Sequence, residues 1–206
     1  MATAAAKVEP QKAKMTYAEF LDWCDEDTLA EWVGGEIVMT SPASRVHQDL
    51  GGFLAAVLRA YVEERGIGQI FIPPFQMKTG PDLPGREPDL LFMTKKTLKR
   101  LKPTYLDGPA DLVVEIVSPD SRLRDRGEKL AEYEAGGVRE YWVLDPTDRR
   151  GDFYVRAADG RYERKRPNDQ GIYRSQVIDG LWLRERWFWK DPLPKVLSIL
   201  RELGVV

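Results

Sequence analysis

The sequence predicts a mixed α/β (α+β) fold, a mixed central β-sheet flanked by helices with β-hairpins toward the C-terminus. Three observations lead there. Ala110-Asp111-Leu112-Val113-Val114-Glu115-Ile116-Val117 is nearly continuous in apolar residues, as in a strand covered on both faces. A helical pattern over 120–135 and a second strand over 139–145 follow it, and so short a strand–helix–strand unit joins parallel neighbours by a right-handed crossover. From 152 onward the pattern becomes paired short strands, with Asp159-Gly160 as the turn between 153–156 and 162–165.

The elements read as follows. Residues 1–14 are Ala/Lys-rich, lack aromatics and are expected to be a disordered tail, with a single domain over 15–206. Thr16-Tyr17-Ala18-Glu19 has capping-box spacing, so a short helix starts there with Phe20, Trp23 and Cys24 partly buried. Gly34-Gly35 breaks the chain, and 36–40 reads as a short strand ended by Ser41-Pro42. Residues 44–65 form the clearest helix, with Val46, Leu50, Leu54, Val57, Leu58 and Tyr61 at three- and four-residue steps and Gly66 at its C-cap. A strand over 69–78 is interrupted by Pro73-Pro74, and a Pro/Gly/Asp-rich loop covers 79–87. Residues 88–93 form a short apolar strand, and the basic stretch 95–102 a brief helix. In the helix over 120–135, Leu123, Leu130 and Tyr133 face inward, and Gly136-Gly137 stops it. Strands at 172–178 and 181–183 and a helix over 193–203 complete the chain, with Trp182, Trp187 and Trp189 packing its C-terminal edge.

Composition narrows the function. Hydrophobic residues make up 43% of the 206, which excludes a wholly disordered chain. No apolar run approaches the ~18 residues of a membrane helix, and the N-terminus lacks the apolar core of a secretory signal. The single cysteine, Cys24, excludes an internal disulfide or a cysteine-rich zinc site and fits a cytoplasmic setting. Lys plus Arg is 31 against 33 for Asp plus Glu, a net charge of −2, so any nucleic-acid surface is local.

Asp89 and Glu115 are acids on apolar strands. An isolated buried carboxylate is costly, so something must compensate: a metal, a cationic partner or backbone donors. If their strands are neighbours, the two carboxylates converge at one sheet end and form a hard oxygen site suited to Mg²⁺ or Mn²⁺, ions that activate water and neutralise phosphate charge. Lys129, in the following helix, can lean back over that end and complete a catalytic set; the alternative is a surface pair with Glu132 or Asp125. His47, the single histidine, is either a satisfied, half-buried residue near a helix start or a group at the site edge. Glu36 either faces the site or forms a surface pair. Lys95, Lys96, Arg122 and Arg124 are candidate phosphate contacts, with a solvated loop as the alternative.

These residues carry a resemblance. Pro88-Asp89, then Asp111-Leu112-Val113-Val114-Glu115-Ile116-Val117-Ser118-Pro119, then Lys129 and Tyr133, then Gly137-Val138-Arg139-Glu140-Tyr141-Trp142-Val143-Leu144-Asp145-Pro146 are similar to the Uma-two family. Gly35-Glu36-Ile37-Val38-Met39 and Ser41-Pro42 followed by His47 match its N-terminal signature, so the likeness spans about 15–190. That family consists of restriction endonuclease-like proteins of the PD-(D/E)XK superfamily. The resemblance implies a restriction endonuclease-like core and metal-dependent hydrolysis of DNA by a water activated at the ion. Asp89 and Glu115 are then metal ligands and Lys129 the catalytic lysine; a homodimer, as in many such enzymes, is implied too. The sequence departs from the superfamily pattern two residues after Glu115, where Val117 stands instead of lysine, and the family's lysine lies on the next helix. The other functional class consistent with the sequence is a nucleic-acid-binding or regulatory module of the same fold that is weak or inactive in catalysis. A structural homo-oligomer whose acids anchor its own basic residues is the third. No membrane and no small-molecule cofactor are expected.

Overall fold

Chain order first brings a helix and a tight hairpin. A computed structural model describes residues 14–25, 28–39, 42–118 and 121–206. The expected disordered tail lies outside the described residues except for Lys14, as do Thr40, Ser41 and Pro119, the expected ends of two strands. Helix α1 (Tyr17–Trp23) opens with the expected capping box: Thr16 Oγ1 accepts from the Glu19 N–H at 3.2 Å, and the Glu19 carboxylate accepts from the Thr16 N–H at 2.7 Å. Strands β1 (Ala30–Val33) and β2 (Glu36–Met39) pair antiparallel with Val33 opposite Glu36. Gly34 and Gly35 therefore make a two-residue turn, with φ of 58° and 93° that suit glycine. Where the pattern reading sees only a chain break, the structure has a hairpin.

Helix α2 (Arg45–Arg65) is capped by Ser44, whose hydroxyl accepts from the His47 N–H at 3.2 Å. The expected 69–78 strand is two strands in two sheets, β3 (Gly68–Phe71) and β4 (Gln76–Lys78), because Pro73-Pro74 supplies no N–H to continue a ladder. The expected loop over 79–87 contains β5 (Gly85–Arg86). Then come β6 (Leu90–Thr94), β7 (Tyr105–Asp107) and β8 (Leu112–Ile116). The expected 120–135 helix is broken into α3 (Arg122–Arg126) and α4 (Glu128–Gly136) at Gly127, where a Cβ would stand 2.8 Å from the Leu123 carbonyl oxygen. The break resets the facing of the first segment, so Leu123 points outward and is 89% exposed, while Tyr133 stays buried. Strands β9 (Glu140–Asp145), β10 (Arg150–Arg156), β11 (Tyr162–Lys165), β12 (Ile172–Arg174) and β13 (Trp182–Arg184) and helix α5 (Val196–Glu202) follow.

The main sheet runs β11-β10-β9-β8-β6-β3, with β8 and β9 parallel and the other pairs antiparallel. Strand alternation sends β8 residues to two cores. Leu112, Val114 and Ile116 pack with Leu54, Leu58 and Tyr61 of α2. Val113 packs with Tyr133 of α4 and with Met77 and Leu106 of the second sheet, ordered β2-β1-β5-β4-β7. Among the described residues no helix is long and apolar enough to cross a membrane.

Two buried acids fasten the sheet. Glu140 accepts from Trp142 Nε1 (2.7 Å), Tyr173 OH (2.8 Å), Ser175 Oγ (2.9 Å) and the N–H groups of Gln176 (2.7 Å) and Val177 (3.0 Å). This network fixes the C-terminal hairpin against Trp142, whose ring meets Phe153 and Tyr173 edge-on. Asp111 accepts from the Thr94 N–H at 2.8 Å and from Arg139 Nη1 at 3.1 Å, tying β6 to the segment before β9. Burial opposes its charge, but the Thr97, Thr94 and Arg139 donors outweigh burial and hold its carboxyl below the usual 3.8.

Glu140→Gln replaces an acceptor by an NH₂ group facing donors, and should lower the unfolding free energy by about 1–3 kcal/mol in a urea titration. Asp111→Asn should cost a similar amount at neutral pH. A depressed folded pKa gives stability present above the unfolded value and lost as pH falls through the folded one. The difference between wild type and Asp111→Asn should therefore shrink as pH is lowered below 3.8.

Candidate active site

The register of β6 against β8 sets the site. Leu90 pairs with Val114 and Leu91 with Val113, so one further step brings Asp89 to the level of Glu115 at the same end of the sheet. Asp89 sits just before the strand, after the buried Pro88, and its side chain is 20% exposed. Its Oδ2 accepts from the Ile116 N–H at 2.7 Å, closing the end of the ladder. His47, in the first turn of α2, brings Nε2 to 3.1 Å from Asp89 Oδ1. Burial opposes the imidazolium, but the hydrogen bond to Asp89 and the charges of Asp89 and Asp125 raise the His47 pKa above its usual value.

Glu115 is buried on the α4 side. Its Oε1 accepts from Lys129 Nζ at 2.9 Å and from Tyr133 OH at 2.8 Å. Lys129 and Tyr133 are four apart on α4, so both reach one acceptor. The Lys129 ammonium also lies 3.1 Å from Glu31 Oε1 and 3.7 Å from Asp125 Oδ1. Burial opposes its charge, but Glu115, Glu31 and Asp125 more than reverse this, so Lys129 is a fixed cation. Arg86 lies behind it, 2.8 Å from Glu31 and bidentate to Glu132.

The cluster is short of positive charge. Against Glu31, Glu87, Asp89, Glu115, Asp125 and Glu132 stand Arg86, Lys129 and His47. Burial raises the Glu115 carboxyl to about 8; Lys129 pulls it down, and Asp125, Asp89 and Glu31 push it back up. Burial and Glu31 raise Glu87 to about 7. Two oxygens, Glu87 Oε1 and Asp125 Oδ1, are buried with no hydrogen-bond partner among the described residues.

The other expected site residues fall elsewhere. Lys95 and Lys96 follow the far end of β6, six residues and about 20 Å along an extended chain from Asp89. A basic run next to Asp89 in sequence is thus carried to the opposite sheet end. Arg122 is held by Asp145 at 3.1 Å and Asp148 at 3.0 Å. Arg124 is half-buried beside the site; burial raises the Asp125 pKa, and Lys129, Ser121 and Arg124 only partly offset it. Glu36 is exposed on β2, the outermost strand of the second sheet, paired with Val33, and it is Glu31 of β1 that reaches Lys129. The alternative surface pairing of Lys129 holds only in part: it does face Asp125, but in the interior, and Glu132 pairs with Arg86. Glu31, Arg86, Glu87 and Asp125 are cluster members that pattern reading missed. The Gly-Gly turn after Glu-Trp-Val was the signal for β1 and hence for Glu31; Asp125 stands four residues before Lys129.

The mixed sheet flanked by helices is a fold of the restriction endonuclease-like class. The model of the Uma2 family, described as "Putative restriction endonuclease", matches residues 17–186. The chain belongs to that family. It is also similar in fold to a solved structure described as "a putative nuclease belonging to DUF820" from Anabaena variabilis ATCC 29413. The two share 16% identity with a TM-score of 0.70, over 85% of this chain and 97% of the other. No curated protein matches the chain.

Lys129→Met leaves Glu31, Glu115 and Asp125 facing one another without their cation. It should cost about 3–5 kcal/mol of unfolding free energy in urea. Adding Glu115→Gln should recover part of that loss, a coupling of about 0.5–3 kcal/mol between the two positions.

Proposed function

We propose that this chain is a metal-dependent DNA endonuclease that hydrolyses phosphodiesters at the Asp89–Glu115 end of the sheet. The observation that carries this reading is the pairing of Glu115 with Lys129 at the sheet end where Asp89 stands, in a cluster rich in carboxylates and poor in cations.

The residues fit a hard divalent cation. Their donors are carboxylate oxygens, and one of them, Asp125 Oδ1, is buried with no hydrogen-bond partner among the described residues, Lys129 Nζ standing 3.7 Å away. Among the described residues no three acidic, histidine or cysteine side chains form a ready-made metal cluster. Mg²⁺ is usually held by one or two carboxylates, with waters and substrate phosphates completing its shell. Asp89 and Glu115 would hold the Mg²⁺ or Mn²⁺ ion. Once bound, it would lower the pKa of a coordinated water and neutralise charge on the phosphate.

The protein's own residues supply the rest. Lys129 stays protonated, so its role is a fixed positive charge near the reacting phosphate rather than that of a base. Tyr133 fixes the Glu115 oxygen that also meets Lys129. His47 and the Ile116 N–H orient Asp89. Arg124 is the remaining candidate for phosphate contact at this end. A weak or inactive DNA-binding module is the second reading. It is favoured by Val117, which is buried in the core where the superfamily pattern has its lysine.

Calorimetric titration with Mn²⁺ is the test. Wild-type protein should bind the ion, and Asp89→Ala and Glu115→Ala should each abolish detectable binding while remaining folded by circular dichroism. Absence of binding by folded wild type, with DNA present, would overturn the metal-dependent reading in favour of the module.

A further inference from the structure

A cleft of about 480 Å³ opens at the first turn of α2, within the range of about 300–1,000 Å³ typical of ligand pockets. Its lining joins apolar Val46, Phe53 and Trp189 to the cations Arg45, Arg149 and Lys190 and the acids Asp49 and Asp191. Val46 belongs to the regular apolar positions of α2, yet it is 46% exposed because it faces this opening. Arg45 is partly neutralised by Asp49 at 2.8 Å and Asp191 at 3.7 Å. Arg149 and Lys190 are exposed and make no ion pair among the described residues.

Two features place the cleft next to the site. The first turn of α2 supplies both Arg45 and Val46 to the cleft and His47 to Asp89. Arg149 lies in the turn after β9, and β9 runs parallel to β8 with Leu144 beside Ile116, so this turn leaves the sheet at the same end as Glu115. Arg149 also has φ of 49°, the only positive value outside glycine among the described residues. A side chain resists that conformation, which glycine adopts freely, and strain of this kind clusters at functional positions.

We propose that the cleft holds one nucleotide of the bound DNA strand beside the scissile phosphate, its base against Trp189 and its phosphate at Arg149 and Lys190. The proposal rests on the nuclease reading for its ligand. An aromatic wall with an unpaired cationic rim is the combination that binds single-stranded nucleic acid without reading its sequence. The strained Arg149 then keeps its guanidinium at the rim where glycine would relieve the turn.

Anisotropy of a fluorescein-labelled single-stranded oligonucleotide, with EDTA present, tests this apart from the metal site. Arg149→Gly should keep or raise the melting temperature and yet weaken binding. It should also flatten the slope of log K against log salt by about 0.7, the share of one phosphate contact. Trp189→Ala should weaken binding about 5- to 150-fold, as expected for loss of one base stack. Wild-type affinity and salt slope in Arg149→Gly would overturn the cleft alone, leaving the Asp89–Glu115 reading intact. No binding by wild type would overturn the DNA ligand for both.

Discussion

A buried ammonium among three carboxylates is the constraint from which the site follows. Lys129 Nζ meets Glu115, Glu31 and Asp125, and its side chain is only 5% exposed. Removing such groups from water costs several kcal/mol per ion, and the attraction offsets that cost only when geometry is good and the remaining valences are met. Every element near the site can be read as meeting that condition. Helix α4 delivers the lysine and Tyr133 together, and β1 and β5 bring Glu31 and its partner Arg86. The parallel pairing of β8 with β9 holds Glu115 in the middle of the sheet. An apolar cluster of the same size would hold the fold equally well or better. The charges therefore mark a place where the sequence departs from maximal stability, as functional sites do.

Much of the frame was legible because it rests on local rules. The capping box at Thr16, the Ser44 and Gly66 ends of α2, and the Asp159-Gly160 hairpin follow from backbone groups that neighbouring side chains must satisfy. The apolar run around Val113 made β8 a central strand, and Asp89 and Glu115 stood out as acids where burial was expected. What pattern reading lost depends on distant partners. Strand β5 is two residues long and exists because β1 and β4 flank it, and a loop composition conceals it. Leu123 fits a helix periodicity that Gly127 interrupts through a backbone contact no side-chain pattern records. Lys95 and Lys96 were assigned to the site by sequence proximity, whereas a strand carries its two ends apart.

The arginines show the same lesson in charge. Arg122 opens the segment before Lys129 and reads as a phosphate contact, yet it binds acids of its own chain, and so does Arg126 one turn on. Arg126 reaches Asp145 at 2.9 Å and Asp152 at 3.2 Å, and Asp152 also takes Arg150 and Arg164. Such multiply paired buried acids clamp α3 to the β9–β10 hairpin. They explain how a chain so rich in arginine presents little free positive charge at this face, and why Arg149 and Lys190, without an ion pair among the described residues, take the functional reading.

The two cores on either face of the main sheet meet at the acid pair. His47 reaches Asp89 from the α2 layer, and Lys129 reaches Glu115 from the α4 layer. The site is therefore a seam whose halves are anchored in different hydrophobic clusters, and their relative height depends on the thickness of the sheet sandwiched between them. Repacking either cluster, even without exposing it, would slide one half against the other by a fraction of an ångström. The acid pair thus acts as a gauge of internal spacing, and volume changes deep in the core would register there before they register in the cooperativity of unfolding.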